Sequence, residues 1–192
     1  MDLFSLSQTA ITAARSAGQV ILQHLNTEVV VEMKADASSY AAQVVTAVDR
    51  ACEEALLSYL LPTCEAYDLA LLSEESPDDG SRLQKNFFWC IDPMDGTLAF
   101  IERRAGFSVS IALVALDGTP QLGVVLDPTT DTLYHAVKDL GVYKNGQVWQ
   151  PQPSNNLLTY VSDRPLQDTP RAAEIEAFLQ EQATRLDLPG VK

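Results

Sequence analysis

Cysteine is scarce in this sequence. Cys52, Cys64 and Cys90 are odd in number and form no CxxC pair, so isolated buried thiols in a reducing compartment are expected rather than a disulfide framework. Histidine is scarcer still. His24 and His135 fall far apart, one in a predicted helix and one in a predicted strand, and read as satisfied or exposed side chains rather than ligands. Basic residues number 13 against 26 acidic ones, a formal net charge of -13. A nucleic-acid backbone would be repelled by such a surface, so nucleic acid is excluded as a partner. No apolar run approaches the length of a membrane span. Met1 to Ala10 carries no basic run, and its apolar residues are broken by Ser5, Ser7 and Gln8, so no secretory signal is read and a cytoplasmic location is expected. Internal repeats and low-complexity tracts are absent.

What remains is ordinary globular material: 192 residues, 46% hydrophobic and 20% charged, enough for one domain, or one and a fragment, with a buried core. Leu3, Leu6, Ala10, Ala13, Ala17, Ile21 and Leu25 step by three and four and predict an amphipathic first helix. Val29 to Val31 reads as a short strand leading to Lys34, and Asp36 to Gln43 as a flexible loop. A second helix follows, with Val48, Cys52, Ala55, Leu56, Tyr59 and Leu60 on one side and Pro62 as its stop. Ala70 to Leu72 is a brief strand, and the unbroken apolar run Phe87 to Ile91 predicts a strand covered on both faces. Strands are then expected at Phe107–Leu116, Gln121–Leu126, Thr132–Val137 and Val142–Lys144. Asp117-Gly118, Asp127-Pro128 and Asn145-Gly146 mark the turns. Consecutive hairpins imply a mainly antiparallel sheet, and the order of elements gives an α+β class with helices covering it. A Pro/Ser/Asn stretch after Gln150 predicts a linker, followed by a helix over Ala172–Arg185. The expected division is 1–150 and 151–192.

Four acids lie at the ends of these elements: Asp49, Glu74, Asp92 and Asp95. Asp92 and Asp95 are separated only by Pro93 and Met94 after the apolar strand. Such a turn can aim two carboxylates and the Met94 carbonyl into one pocket. Oxygen donors without His or Cys select Mg²⁺, Mn²⁺ or Ca²⁺ over zinc. Gly96 and Thr97 follow directly, and a helical turn opening there would face its N–H groups toward the same pocket, where a phosphate binds well. Plainer readings compete. Thr46-x-x-Asp49 fits an N-cap, Asp92-Pro93 and Asp95-Gly96 fit turn chemistry, and Glu74-Glu75 or Glu102-Arg103-Arg104 alone fit solvated loops.

The string Trp89-Cys90-Ile91-Asp92-Pro93-Met94-Asp95-Gly96-Thr97, followed by Phe107-Ser108-Val109-Ser110-Ile111-Ala112-Leu113, resembles the signature of the inositol monophosphatase family. Leu72-Ser73-Glu74-Glu75-Ser76 and Val45-Thr46-Ala47-Val48-Asp49 match its two upstream motifs in the same order, and the resemblance runs from the first helix to Trp149. It implies a layered α/β sandwich, of which this chain holds the metal- and phosphate-binding lobe. It further implies a Mg²⁺-dependent phosphomonoesterase, with Mn²⁺ as a substitute, that hydrolyses a small phosphorylated metabolite by metal-activated water. Inositol monophosphate is the first expectation for that metabolite.

By the same resemblance Glu74, Asp92 and the Met94 carbonyl bind a first metal, and Asp92 with Asp95 a second. Glu74 and Thr97 activate the water, and Asp49 supports a further metal or water. Asp95, Gly96, Thr97 and Lys34 contact substrate, Lys34 less securely because the spacing after it differs. Phe100-Ile101-Glu102-Arg103 resembles the branch that removes the 3′-phosphate from adenosine 3′,5′-bisphosphate, the alternative substrate. The family's later Trp-Asp-x-Ala-x-Gly motif has no counterpart here. The chain is therefore expected to be a truncated piece, one half of a split protein or a degenerate, non-catalytic metal-binding member. The sheet face left by the missing layer is expected to favour a homodimer.

Overall fold

A computed structural model of the chain describes residues 1–25, 31–33 and 44–150, with a few positions between 171 and 181. Of residues 31–33 and 44–46 only the backbone is described. Lys34, the 36–43 segment and most of the 172–185 helix lie outside the described residues. The chain divides into two units, Met1–Gln150 and Pro151–Lys192, and the first carries everything that follows.

Helix α1 (Leu3–His24) opens on Asp2, whose carboxylate accepts from Phe4 N–H at 3.0 Å and Ser5 N–H at 3.3 Å, satisfying donors that a helix start leaves orphaned. Its buried stripe is Leu6, Ser7, Ala10, Ala13, Ala14, Ala17, Gly18 and Ile21. Small side chains dominate, so α1 lies close to its neighbours; a Cβ at Gly18 would come within 2.8 Å of the Leu126 side chain. Strands β1 (Val31–Met33) and β2 (Val44–Thr46) form a separate antiparallel pair. Helix α2 (Ala47–Tyr67) buries Val48, Asp49, Cys52, Glu53, Leu56 and Leu60.

Two expectations for α2 are corrected. Pro62 lies inside the helix and does not end it. Proline removes the N–H that would bond the carbonyl of Ser58, but Ser58 and Pro62 are both exposed, so water can satisfy that carbonyl where the helix faces solvent. Tyr59, assigned to the core stripe, is 39% exposed.

A seven-stranded sheet packs under the two helices in sequence order. It comprises β3 (Ala70–Ser73), β4 (Phe87–Asp95), β5 (Ser108–Ala115), β6 (Pro120–Asp127), β7 (Thr132–Val137), β8 (Gly141–Lys144) and β9 (Gln147–Val148). Only β3 and β4 pair in parallel; all later pairs are antiparallel. Hairpin turns sit where the dipeptides indicated. Asn145 (φ 51°) and Gly146 (φ 77°) both take positive φ, the backbone of a tight hairpin turn that matches strand twist. A short 3₁₀ turn (Ser81–Leu83) precedes β4, and helix α3 (Thr97–Ile101) follows it.

Strand β4 alternates. Trp89 and Ile91 are buried against the helices while Phe88, Cys90 and Asp92 are half-buried, which corrects the expectation of a strand covered on both faces. Within this unit α1 and α2 cover one face of the sheet, and period-two alternation turns the remaining side chains to the other. Trp89 is fully buried, and its indole N–H donates to Thr63 Oγ1 at 2.8 Å. Each large apolar side chain fully buried in this core contributes about 1.5–3 kcal/mol relative to exposure.

The thiols are free. Burial, helped by the charge of Asp49, pushes the Cys52 thiol up to about 12, so it stays protonated and unreactive. His135 is buried and stacks on Tyr143 with ring centroids 4.7 Å apart, but its Nδ1 has no hydrogen-bond partner among the described residues. Among the described residues no helix is long and apolar enough to cross a membrane.

Candidate active site

The acids gather where β3 ends alongside β4. Their parallel register pairs Leu72 with Cys90 and Ser73 with Ile91, and the Glu74 N–H donates to the Ile91 carbonyl at 3.2 Å. One residue further along each strand, Glu74 and Asp92 become neighbours on the same face, and their carboxyl groups share a hydrogen bond. They border an open depression of about 510 Å³ on the face of the sheet away from the helices, together with Cys90, Ser110, Ala112 and Val125.

Asp92 pairs with Ser110 and Asp95 with Ser108. Three steps on β4 therefore oppose two on β5. This one-residue bulge, containing buried Pro93 and Met94, leaves Asp95 exposed beyond it. The Met94 N–H donates to Asp92 Oδ1 at 3.1 Å. Burial raises the Asp92 carboxyl to about 8, and the hydrogen bond and charge of Glu74 and the charge of Asp95 add to the rise; the Met94 N–H pulls the other way.

Gly96 turns the chain into α3 with φ 91° and ψ 33°. A Cβ there would lie 2.4 Å from the Gly106 carbonyl oxygen and 3.0 Å from Phe107 Cα, so the position requires glycine for space as well as conformation. Thr97 begins α3. Its hydroxyl lies 2.9 Å from Asp49 Oδ1 and 3.2 Å from the Met94 carbonyl, and its single proton serves one acceptor at a time. Asp49, only 1% exposed in the first turn of α2, holds this hydroxyl from below, a contact beyond a plain helix cap. Lys34 lies outside the described residues.

One participant escaped the sequence reading. Glu53, one helical turn after Asp49, is buried, and its Oε1 accepts from Ser73 Oγ at 2.5 Å and from Ser76 Oγ at 2.7 Å. The signal was available in the i, i+4 spacing of two acids on a helix face that is otherwise apolar.

Among the described residues no three His, Cys, Asp or Glu side chains are already arranged to hold an ion. The donor chemistry nevertheless fits a hard divalent cation. The Glu74 and Asp92 carboxyls are in contact, Asp95 is close enough to act electrostatically, and Asp92 resists ionisation because it is buried and has negative charge concentrated around it. A cation bound there would reverse that resistance.

The sequence profile of the inositol monophosphatase family matches residues 2–187. The chain belongs to the inositol monophosphatase family. It is similar to the Nus factor SuhB of Salmonella typhimurium, at 35% identity over 71% of this chain and 49% of that protein. It is also similar to the 3′(2′),5′-bisphosphate nucleotidase CysQ of Shigella flexneri, at 33% identity over 88% of this chain and 65% of that one. The structure of an inositol monophosphatase from Anabaena (Nostoc) superposes with a TM-score of 0.68 at 26% identity, covering 99% of this chain and 65% of that one. The chain thus spans about half to two thirds of the length of the relatives it matches. The α+β layered fold read from the sequence is the fold of this family.

Proposed function

We propose that this inositol monophosphatase family chain supplies the metal- and phosphate-binding residues of a Mg²⁺-dependent phosphomonoesterase for a small phosphorylated metabolite. The observation that carries the reading is the Glu74–Asp92 contact, with Asp92 raised to about 8 by burial and by its acidic neighbours. Carboxyls crowded at such cost to their ionisation are the mark of a functional site. Glu74, Asp92 and the Met94 carbonyl would hold one magnesium ion, and Asp92 with Asp95 a second; Mn²⁺ has the same ligand preferences.

When bound, the ions supply Lewis acidity at the phosphoryl oxygens and lower the pKa of the attacking water. The chain's own residues do the positioning. The Thr97 hydroxyl, held by Asp49, orients the water, and Glu74 accepts its proton. The N–H groups of Gly96 and Thr97 donate to phosphate oxygens, and Lys34 meets the substrate's negative charge.

The test is phosphate release from inositol monophosphates and from adenosine 3′,5′-bisphosphate, with Mg²⁺ and with EDTA. Release should depend on the metal and fall at least about 100-fold in Asp92→Asn. Release that survives EDTA or Asp92→Asn would refute the reading. The two substrates separate an inositol phosphatase from a bisphosphate nucleotidase.

In a second reading the chain is a non-catalytic, metal-binding or pairing member of the family, and Mn²⁺ binding without phosphate release would select it. In both readings the protein is cytoplasmic and pairs as a homodimer. Light scattering at micromolar concentration tests the dimer.

A further inference from the structure

The geometry points to Glu53 as a positioning residue that sets the aim of Glu74 toward the metal, an inference that rests on the metal reading above. Glu53 lies on the helix side of the sheet and Glu74 on the opposite side, so it acts through what it holds. Strand alternation turns Ser73 inward and Glu74 outward, and Ser73 is only 6% exposed. The inward Ser73 hydroxyl donates to Glu53 Oε1 at 2.5 Å, and the Ser76 hydroxyl donates to the same oxygen at 2.7 Å. Ser73 Oγ in turn accepts the Glu75 N–H at 3.4 Å. The segment Ser73–Ser76 is therefore clamped at both ends by one buried carboxylate oxygen, and Glu74 sits inside the clamp. Glu74 is also anchored by its N–H bond to the Ile91 carbonyl within β4.

Asp49, one turn earlier on the same helix, holds Thr97 from below at 2.9 Å. Successive turns of α2 thereby fix the two loops that carry the acids, one through Asp49 and one through Glu53. A buried carboxylate is costly in a helix stripe where a leucine would pack. Here two hydroxyl donors offset that cost, and the clamped segment is the one that carries a proposed ligand. Residues that orient metal ligands in this way typically change metal affinity 10–100-fold when removed.

The test compares Glu53→Ala, Glu53→Gln and the double variant Ser73→Ala/Ser76→Ala with the parent chain, all measured well below their melting temperatures. Two readouts are taken: hydrogen exchange at the Glu74 and Glu75 amides, and Mn²⁺ binding followed by electron paramagnetic resonance. Glu53→Ala and the serine pair should both speed exchange at those amides and weaken Mn²⁺ about 10–100-fold. Glu53→Gln keeps a carbonyl oxygen that accepts both hydroxyls and should stay within a few-fold of the parent on both readouts.

Unchanged exchange in Glu53→Ala overturns the clamp. Faster exchange with unchanged Mn²⁺ affinity shows that the clamp is structural only and overturns its role toward the metal. A Glu53→Gln loss as large as that of Glu53→Ala shows that the charge, not the clamp, matters, and also overturns it. If the parent binds no Mn²⁺, the metal reading fails and this inference with it, whereas parent binding that is abolished by Glu74→Gln leaves the metal reading standing whatever Glu53 does.

Discussion

Gly96 links the bulge of β4 to α3, and replacing it with alanine tests how tightly that turn is built. Two costs are separable. A non-glycine residue in the left-handed region costs about 1–2 kcal/mol, and Gly96 sits there at φ 91°. The added methyl would also meet the Gly106 carbonyl oxygen at 2.4 Å and Phe107 Cα at 3.0 Å. Both are backbone atoms, so no side chain can rotate away, and overpacking of that kind costs a further ~1–3 kcal/mol. Gly80 is the internal control. It too has positive φ, 75°, yet nothing lies within 4 Å of a Cβ built there. Gly80→Ala should therefore cost only the conformational part, about 1–2 kcal/mol, and Gly96→Ala the sum, about 2–5 kcal/mol. In a chain of this length each kcal/mol lowers the melting temperature by about 2–4 °C. Gly96→Ala should thus melt on the order of 10 °C below the parent, and Gly80→Ala by about half that or less. Urea unfolding of the three proteins side by side gives the free energies directly. Equal losses in the two variants would refute the collision, and with it the claim that the Asp95–Thr97 turn is pressed against Gly106–Phe107.

Thr97→Val keeps the shape of the side chain and removes the hydroxyl held by the buried Asp49, so stability should fall by about 1–3 kcal/mol in urea unfolding. In EDTA the metal-free chain should lose stability as pH rises from about 4 to about 8. The folded Asp92, raised to about 8 from the ordinary 3.8, keeps a proton through that window that the unfolded chain has released. Melting temperature against pH should therefore slope downward there, and Asp92→Asn should flatten it. Millimolar Mg²⁺ or Mn²⁺ should raise the melting temperature, with about 2.7 kcal/mol gained at 100 times the dissociation constant. Asp95→Asn should blunt that rise, and a parent chain indifferent to both ions would count against the metal reading.

Much of this fold was readable because its signals are local. The three-and-four stepping from Leu6 to Ile21 requires no knowledge of the partner surface. Asn145-Gly146 announces a turn because few other residues tolerate two successive positive φ values. Where the reading failed, the deciding term was solvent or a distant strand. Pro62 is a helix stop by local chemistry, but it is tolerated because the carbonyl it abandons faces water. Phe87 to Ile91 looks doubly covered because an apolar run does not report which alternate residues meet a helix. The candidate acids could be named from the sequence but not placed. Glu74 and Asp92 are 18 positions apart, and only the parallel β3–β4 register, Ser73 opposite Ile91, makes them neighbours.

That register also explains why helix α2 devotes buried positions to acids. A strand end that turns Glu74 outward must turn Ser73 inward, because the alternation has period two. The inward serine then needs an acceptor within the core, since a buried hydroxyl without one is costly. Glu53 is that acceptor, and it captures Ser76 as well. On the neighbouring strand the bulge between Asp92 and Asp95 shifts the alternation by one, so Met94 is buried and Asp95 emerges into solvent. Gly96 then redirects the chain so that the Thr97 hydroxyl meets Asp49. A one-residue slip of β3 against β4 would exchange the two faces, burying Glu74 against α2 and exposing Ser73. Glu53 thus disfavours the slipped register, because its carboxyl group would face that of Glu74 instead of hydroxyl donors. The same side chain that clamps Ser73–Ser76 also helps specify which pairing of the strands is the stable one.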